Sequence, residues 1–330
     1  MDLWEIDSKN TRSSTWWWWF WLFFIKGGKN PRQLMILWST KNSLRTRVND
    51  LDITLDHSLL RETGNKFHGA VAAWYFDGTK MRENFVLKEC NMELGGDGIR
   101  TDKGTYSTGP SGKGFRTRIR QGGTDMDFLA AQSPGQFAKP AHTKTDYAKL
   151  FNFRISRLNQ LGLTGKINGK KIDGSAYFQK VQVNAPSVPW LWGIAHFESG
   201  AALSYFYPYL GAAMLNKSDQ CRYDLLKLPL NREIKFYDGK AVHVFNCAQI
   251  KKVEGGETPA WEVFCGNKIR FRVEAYSHAC WRFEEQKLLR NVLHYNEYPM
   301  RITEFKMGDL TLEDLGDSMG NAEHTWGRLL

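Results

Sequence analysis

The feature that most limits how this chain can fold is an unbroken apolar run from Trp16 to Ile25, which reads WWWWFWLFFI. Ten residues are too few for a membrane-spanning helix, which needs about 20. A secretory signal is not indicated, because Lys26-Gly27-Gly28 follows instead of a cleavage site of small residues. A run of this length is typical of a β-strand buried on both faces. A strand at a membrane-contacting edge is the alternative.

Most other segments have strand length and are bounded by turn residues. Asp77-Gly78, Asn168-Gly169, Asp238-Gly239 and Gly266-Asn267 each separate two segments rich in β-branched and aromatic residues. Such dipeptides favour hairpins. We therefore predict an all-β fold, an antiparallel meander arranged in barrels or sandwiches.

The length of 330 residues allows two domains. The polar stretch Leu215–Asp219 follows a dense aromatic segment and is the candidate boundary. It divides the chain into an N-terminal domain, residues 1–215, with long loops and a smaller C-terminal domain, residues 216–330.

Aromatic residues make up 14% of the chain, with 13 Trp, 20 Phe and 12 Tyr. Indole and phenol groups join a large apolar surface to a polar group. This abundance favours a large aromatic pocket for an elongated apolar ligand. An aromatic β-sheet core is the alternative.

The net charge is +10, and it is uneven. Residues 296–330 have seven acidic and three basic side chains, a surplus of four negative charges, which leaves +14 for the rest. A positive surface is compatible with peripheral contact to an anionic membrane, or with an ordinary solvated surface. No nucleic-acid partner is expected, because the aromatic residues are not interleaved with basic ones.

The five cysteines are far apart and form no CxxC motif. We therefore expect neither a disulfide framework nor a thiolate zinc site, and we expect a reducing, cytoplasmic location. The phosphate-loop, dinucleotide, Gly-x-Ser-x-Gly and HExxH patterns are all missing from the sequence. No cofactor or metal is expected.

The segment Pro189–Glu198 contains the first candidate site. In a strand, Trp190, Trp192, His196 and Glu198 share one face. An apolar environment disfavours the charged form of a carboxyl group, so Glu198 would be a proton donor and His196 an acceptor. A strand with a solvated polar end is the alternative.

A second cluster lies near the C-terminus, in Tyr295-Asn296-Glu297 and in Asn321–Gly327. It places Glu323, His324 and Trp326 close together and again offers proton transfer beside an aromatic face. A solvated terminal strand is the alternative reading.

Several of these residues resemble a known family. Trp16–Phe20, Gly174-Ser-Ala-Tyr177, Pro189-Trp-x-Trp192 and the strand pair in His196–Tyr207 are similar to the lipocalin-like hydroxyneurosporene synthase (carotenoid hydratase) group. Tocopherol cyclase and the Diels–Alderase-type cyclases have a similar two-barrel plan. The resemblance implies two antiparallel lipocalin-like β-barrel domains packed together, an isoprenoid or polyene ligand, and acid-assisted hydration, cyclisation or isomerisation without a cofactor.

The resemblance also implies an acidic residue soon after the central tyrosine, where this chain has Gln179. The acid is then expected at Glu198, Glu323 or His324, or else the protein is a non-catalytic lipid or pigment carrier. The predicted ligand-binding residues are Trp16, Trp17, Trp18, Trp19, Tyr177, Gln179, Trp190, Trp192, Tyr205 and Trp326.

Overall fold

The computed structural model describes residues 3–6, 15–41, 45–55, 64–101, 104–132, 141–147, 151–184, 187–215, 227–254, 258–286 and 290–327. The chain is almost entirely β, so the predicted all-β class is confirmed. The two described helices are short, a 3₁₀ turn at Ala212–Leu215 and α1 at Leu312–Leu315. Within these residues, no helix has the length and apolar character to cross a membrane.

The strands of the first half are β1 (Trp16–Ile25), β2 (Arg32–Lys41), β3 (Arg45–Val48), β4 (Leu51–Thr54), β5 (Lys66–Phe76), β6 (Met81–Gly95), β7 (Gly98–Thr101), β8 (Tyr106–Ser111), β9 (Gly114–Gln121), β10 (Thr124–Gln132), β11 (Ala141–Tyr147), β12 (Phe151–Ile167) and β13 (Lys170–Asn184).

Those of the second half are β14 (Trp190–Phe197), β15 (Ala202–Gly211), β16 (Lys227–Pro229), β17 (Glu233–Tyr237), β18 (Val242–Phe245), β19 (Gln249–Val253), β20 (Ala260–Cys265), β21 (Ile269–Ala275), β22 (Ala279–Gln286), β23 (Arg290–Met307), β24 (Leu310–Thr311) and β25 (Ser318–Gly327).

The first sheet closes into a ten-stranded antiparallel barrel. Its order is β10-β9-β8-β7-β6-β5-β2-β1-β13-β12, and pairing of β10 with β12 completes the circle. Strand β11 pairs with β12 outside that circle. Closure leaves the circle without unpaired edges, which open sheets expose to solvent.

The second sheet has the order β18-β17-β15-β14-β25-β23-β21-β20-β19, with shorter strands attached to it. The hairpin β3–β4 joins this sheet through β22, although it lies early in the chain. Strands β14 and β15 also belong here, so the sheets change between Asn184 and Trp190. This division differs from the predicted boundary after Leu215, most of whose candidate stretch lies outside the described residues. Side-chain patterns do not show which strands will pair, so nothing in the sequence indicates that β14 and β15 join the second sheet; the domain boundary itself stays a prediction.

The four predicted hairpin turns are confirmed. Asp77-Gly78 joins β5 to β6, Asn168-Gly169 joins β12 to β13, Asp238-Gly239 joins β17 to β18, and Gly266-Asn267 joins β20 to β21. Asn168 and Gly169 have φ angles of 49° and 78°. Positive φ at both central residues defines the hairpin turn that an Asn-Gly pair favours.

Strand β1 is buried on both faces, as predicted. It lies between β2 and β13, where Trp18 is opposite both Ser39 and Val181. Because side chains alternate along a strand, its odd-numbered residues point into the barrel and its even-numbered ones point outward. The inward set, Trp17, Trp19, Trp21, Phe23 and Ile25, belongs to the barrel core.

The outward set packs against the second sheet. Phe20, Leu22, Phe24 and Tyr177 of the barrel form one cluster with Trp192, Ile194, Trp281 and Leu293 of the second sheet. We call this cluster and the side chains packed on it the interface layer. A separate core fills the other face of the second sheet, around Leu203, Phe236, Val263 and Phe271.

Cys247 and Cys265 form a disulfide, with their Cα atoms 5.1 Å apart. The expectation that the cysteines form no disulfide is therefore wrong for this pair. Cys247 lies just before β19, and Cys265 ends β20, so antiparallel pairing brings them together. Disulfides are typical of oxidising compartments, so the cysteines do not support the predicted reducing cytoplasm. Cys221 lies outside the described residues.

Candidate functional site

Two carboxyl groups lie opposite each other in the interface layer. Glu297 of β23 is the cross-strand partner of Glu323 of β25. Their exposed fractions are 1% and 4%. Carboxylates are almost never buried to this extent without a specific partner. This pair is therefore the strongest indication of chemistry in the described part of the chain.

The Glu323 carboxyl group is held by two donors. The indole Nε1 of Trp190 donates to Oε2 at 2.7 Å, and the hydroxyl of Tyr295 donates to Oε1 at 2.7 Å. Burial raises the pKa of Glu323 to about 7, although the two hydrogen bonds and the charge of Arg157 favour the ionised form. Glu323 is therefore poised to exchange a proton near neutral pH.

Glu297 is the more strongly perturbed member of the pair. Burial raises its pKa well above the usual range, and the negative charge of Glu323 raises it further. The side-chain amide of Asn321 donates to Oε2, whereas Oε1 has no hydrogen-bond partner within the described residues. Two adjacent buried carboxyl groups resist double ionisation. The pair therefore retains a proton at neutral pH.

The barrel supplies the opposite wall of this site. The Tyr177 ring lies 5.3 Å from the Trp192 ring, and the Tyr177 hydroxyl donates to Gln179 Oε1 at 2.9 Å. Burial raises the pKa of Tyr177, Arg157 opposes that shift, and the charge of Glu323 adds to it. Tyr177, Gln179, Trp190, Trp192 and Glu323, all predicted from the sequence, therefore meet between the two sheets.

His196 faces the same layer but is fully engaged. Its Nε2 lies 2.7 Å from the Asn159 carbonyl oxygen, which can only accept, so Nε2 carries the proton. Its Nδ1 then accepts from the Ser175 hydroxyl at 2.8 Å. Burial lowers the pKa of His196 to about 4, so the ring is neutral at physiological pH. In this arrangement His196 joins the second sheet to the barrel.

Glu198 is not in the apolar environment expected from the sequence. Strand β14 ends at Phe197, and Glu198 lies in the following turn with an exposed side chain. The strand alternation holds from Trp190 to His196 and stops there. The assignment of Glu198 as a buried proton donor is therefore wrong.

His324 lies on the opposite face of β25 from Glu323, because adjacent residues of a strand point in opposite directions. Its Nε2 is 3.2 Å from the Tyr209 hydroxyl, and its ring is 5.3 Å from Trp326. Burial lowers the pKa of His324 to about 3. His324 and Trp326 are therefore separated from the carboxyl pair.

The remaining predicted ligand-binding residues are distributed among three separate regions of the molecule. Trp17 and Trp19 lie inside the barrel, Tyr205 lies in the core of the second sheet, and Trp16 and Trp18 pack on the interface layer. The convergence of all these rings on one pocket, expected from the sequence, is not found. Alternation along β1 sends neighbouring indoles to different cores.

Cavities lie elsewhere in the described part of the chain, and two of them are compared with the predicted pocket. One of about 240 Å³ is lined by glycine-rich turns of the barrel, including Gly95, Gly96 and Gly98. The other, of about 20 Å³, lies beneath the β3–β4 hairpin, and Trp16 is the one predicted residue among its lining. Neither is the large aromatic pocket that the sequence predicts.

Four site residues have roles that were not predicted from the sequence. Tyr295 and Glu297 belonged to the second cluster but had no assigned function, and their spacing of two residues is the signal that places both on one face. Asn321 has the same spacing relative to Glu323. Arg157 gave no signal, because only the packing of β12 beside β13 brings it near Tyr177.

No family model matches the chain, and no curated protein matches it. Two solved structures share the lipocalin-like two-barrel fold. An AttH-like protein of Nitrosomonas europaea is 12% identical, with a TM-score of 0.55 over 95% of this chain and 93% of its own. Kievitone hydratase of Nectria haematococca is 9% identical, with a TM-score of 0.51 over 95% of this chain and 89% of its own. At these identities the likeness establishes the fold alone, and one protein with this fold is a hydratase.

Proposed function

We propose that this protein is an enzyme that adds a proton to an unsaturated apolar substrate, with the Glu323–Glu297 pair as the acid. The observation that carries the proposal is the pair itself, two carboxyl groups buried among aromatic rings with Glu323 bound by Trp190 and Tyr295. A hydratase among the fold's neighbours supports it.

The first step is proton transfer from the carboxylic acid to one carbon of a carbon–carbon double bond. The π electron pair forms the new C–H bond, and the other carbon becomes cationic. The remaining carboxylate is stabilised by the donors of Trp190 and Tyr295. The faces of Trp192 and Tyr177 attract the cation.

The second step decides the product. Water adds its oxygen to the cation and returns a proton to the carboxylate, which is a hydration. Attack by a second double bond, followed by proton loss, is a cyclisation. Loss of a proton from a neighbouring carbon is an isomerisation. Each route restores the acid and needs no redox partner.

Deuterium incorporation tests all three routes in one assay. The protein is incubated in D₂O with a panel of prenyl alcohols and polyenes, including geranylgeraniol and lycopene. The molecular masses of the recovered compounds are then measured by mass spectrometry. We expect a panel member to gain deuterium with the wild type and with Glu198→Gln, which alters an exposed carboxyl group. Glu323→Gln is expected to reduce the gain by about 10²–10⁴-fold.

Equal incorporation by Glu323→Gln and the wild type would remove the carboxyl pair from the mechanism. Tight binding of a panel member without any deuterium gain in the wild type would favour the alternative function, a lipid or pigment carrier. The amide of Gln179 where the resemblance implies an acid is the observation that favours this alternative.

A further inference from the structure

The β3–β4 hairpin covers an apolar cleft on the outer face of the barrel. Val48, Ile53 and Leu55 of the hairpin region are buried there. Opposite them, β5 presents the small residues Ala70 and Ala72. Small side chains on one wall and aliphatic side chains on the other leave a groove that the hairpin closes.

The hairpin is attached to the rest of the molecule by a short backbone ladder, by the side chain of Asn49, which bonds Arg282 and Asn84, and by its buried apolar side chains. Its described ladder to the second sheet consists of two residue pairs, Val48 with Phe283 and Arg47 with Glu284. The Asn49 N–H adds one backbone hydrogen bond, to the Arg282 carbonyl at 2.8 Å. Because the ladder is short, the main resistance to local opening comes from the buried side chains of Val48, Ile53 and Leu55, which a bound hydrocarbon would contact in place of the barrel.

A row of rings connects this cleft to the carboxyl pair. The Trp16 ring, which lines the cleft, lies 5.1 Å from Phe283. Phe283 lies 6.2 Å from Tyr295, whose hydroxyl donates to Glu323. The rings meet edge to face, at 69° and 84°. The cleft and the acid are therefore two ends of one aromatic path within the interface layer.

The lining indicates the ligand class. The two buried or partly buried hydroxyl groups on the barrel wall are engaged, because Ser39 accepts from the Trp16 indole at 2.5 Å and Thr40 donates to the His68 carbonyl at 2.7 Å. The hydroxyl of Thr46, on the hairpin side, is only partly buried. The charged lining residue, Lys41, has its ammonium 5.4 Å from the Trp16 ring. An uncharged hydrocarbon fits such a lining, because it leaves no buried polar group without a partner.

We infer that this cleft is the subsite for the apolar tail of the substrate and that the β3–β4 hairpin is its lid, an inference that rests on the proposed function. The present volume of about 20 Å³ holds about one water molecule. An elongated hydrocarbon therefore enters when the hairpin lifts, with its double bond reaching Glu323 and its tail lying over Ala70 and Ala72.

Binding of 1,6-diphenylhexatriene, an uncharged rod-shaped fluorophore, tests the cleft without turnover. Ala72→Leu fills the groove and is expected to weaken binding about tenfold or more. Ala131→Leu makes the same change on the outer face of β10, away from the cleft, and is expected to leave the affinity unchanged. Unchanged affinity in Ala72→Leu would overturn the inference.

Ile53→Ala provides a test of opposite sign, which also covers the case that Ala72→Leu does not fold. It removes a lid contact, so the probe is expected to bind faster, whereas a slower or unchanged rate counts against the lid. Glu198→Gln, which alters an exposed carboxyl group outside the interface layer, is expected to bind the probe like the wild type. Probe binding that depends on the cleft, without deuterium incorporation, would support the subsite and reject the proposed function. Deuterium incorporation with probe binding that does not depend on the cleft would support the proposed function and reject the subsite.

Discussion

The barrel interior and the interface layer are both lined by indoles, but the indole N–H groups have different hydrogen-bonding roles in the two regions. In the barrel, the indole N–H groups of Trp17, Trp21 and Trp38 have no hydrogen-bond partner within the described residues. In the interface layer, Trp16 donates to Ser39 and Trp190 donates to Glu323. The barrel indoles therefore act mainly by volume, whereas the interface indoles also orient polar groups.

Two residues depart from this division and show its cause. Trp19 lies inside the barrel but donates to the Leu3 carbonyl at 2.8 Å, because the N-terminal segment enters the barrel there. Trp74 lies in the interface layer, and its N–H has no partner within the described chain. The use of an indole thus depends on whether a polar group from another segment reaches it. Where one does, as at Glu323, the layer can support chemistry.

The largest expected effect contrasts two indoles of one strand. Trp21 is fully buried, with its ring 4.7 Å from Phe178, whereas Trp18 is only partly buried. Trp21→Ala is expected to lower the free energy of unfolding by about 3–5 kcal/mol, and Trp18→Ala by less. Denaturant unfolding of the two variants measures the difference, and equal losses would show that the barrel is not the more tightly packed region.

The next expected effect is on the pH dependence of stability, which the buried carboxyl groups of the interface layer should dominate. The raised pKa of Glu323 means that the folded protein keeps a proton that the unfolded chain releases above the ordinary glutamate pKa of 4.5. The stability contributed by this group is therefore complete below pH 4.5 and is lost as the pH rises through about 7. Over that range each retained proton changes the free energy of unfolding by about 1.4 kcal/mol per pH unit.

The comparison with Glu323→Gln isolates this contribution. His196 has a lowered pKa, so its contribution is present above the ordinary histidine pKa of 6.5 and is lost as the pH falls towards about 4. Because both proteins contain His196, their difference in stability reports on the carboxyl pair. We expect the wild type to lose stability relative to the variant between pH 5 and pH 8, and parallel curves would contradict the assignment.

A substitution in the barrel is expected to act in the opposite direction. Gln182 points into the barrel beside Trp17, and neither polar atom of its amide has a hydrogen-bond partner within the described residues. Gln182→Leu removes a desolvated amide and is expected to stabilise the fold by about 1–2 kcal/mol. A loss of stability in thermal unfolding would show that the barrel interior also contains a polar interaction that matters.

The smallest effect concerns the indole that binds the acid. Trp190→Phe keeps an aromatic ring but removes the N–H that donates to Glu323. Loss of this donor favours the protonated form of the Glu323 carboxyl group. The pKa of Glu323 is expected to rise by up to about one unit. Repeating the pH titration of stability in this variant checks the shift. A downward shift would mean that the indole does not stabilise the carboxylate.

The sequence predicted local features well because their causes are local. The burial of β1 on both faces follows from its continuous apolar run, and the hairpin at Asn168-Gly169 follows from the φ angles that these residues adopt. The shared face of Trp190, Trp192 and His196 follows from strand alternation. Glu323 was predicted only from its closeness in sequence to His324 and Trp326, which strand alternation places on the opposite face of β25.

Long-range pairing accounts for what the sequence missed. Nothing in the run of β14 indicates that it pairs with β25, and this pairing brings Trp190 to Glu323. The cross-strand position of Glu297 and the approach of Arg157 depend on pairings in the same way. The prediction for Glu198 was wrong for a local reason, because the residue pattern does not show that β14 ends at Phe197.

The chemistry proposed for the interface layer requires that it hold a protonated carboxyl group at neutral pH. Infrared difference spectroscopy at pH 7, comparing the wild type with Glu323→Gln and Glu297→Gln, measures this directly. We expect the carbonyl stretch of a buried carboxylic acid in the wild type, and we expect it to be altered or lost in the variants. A wild-type spectrum in which both groups contribute only carboxylate bands would contradict it.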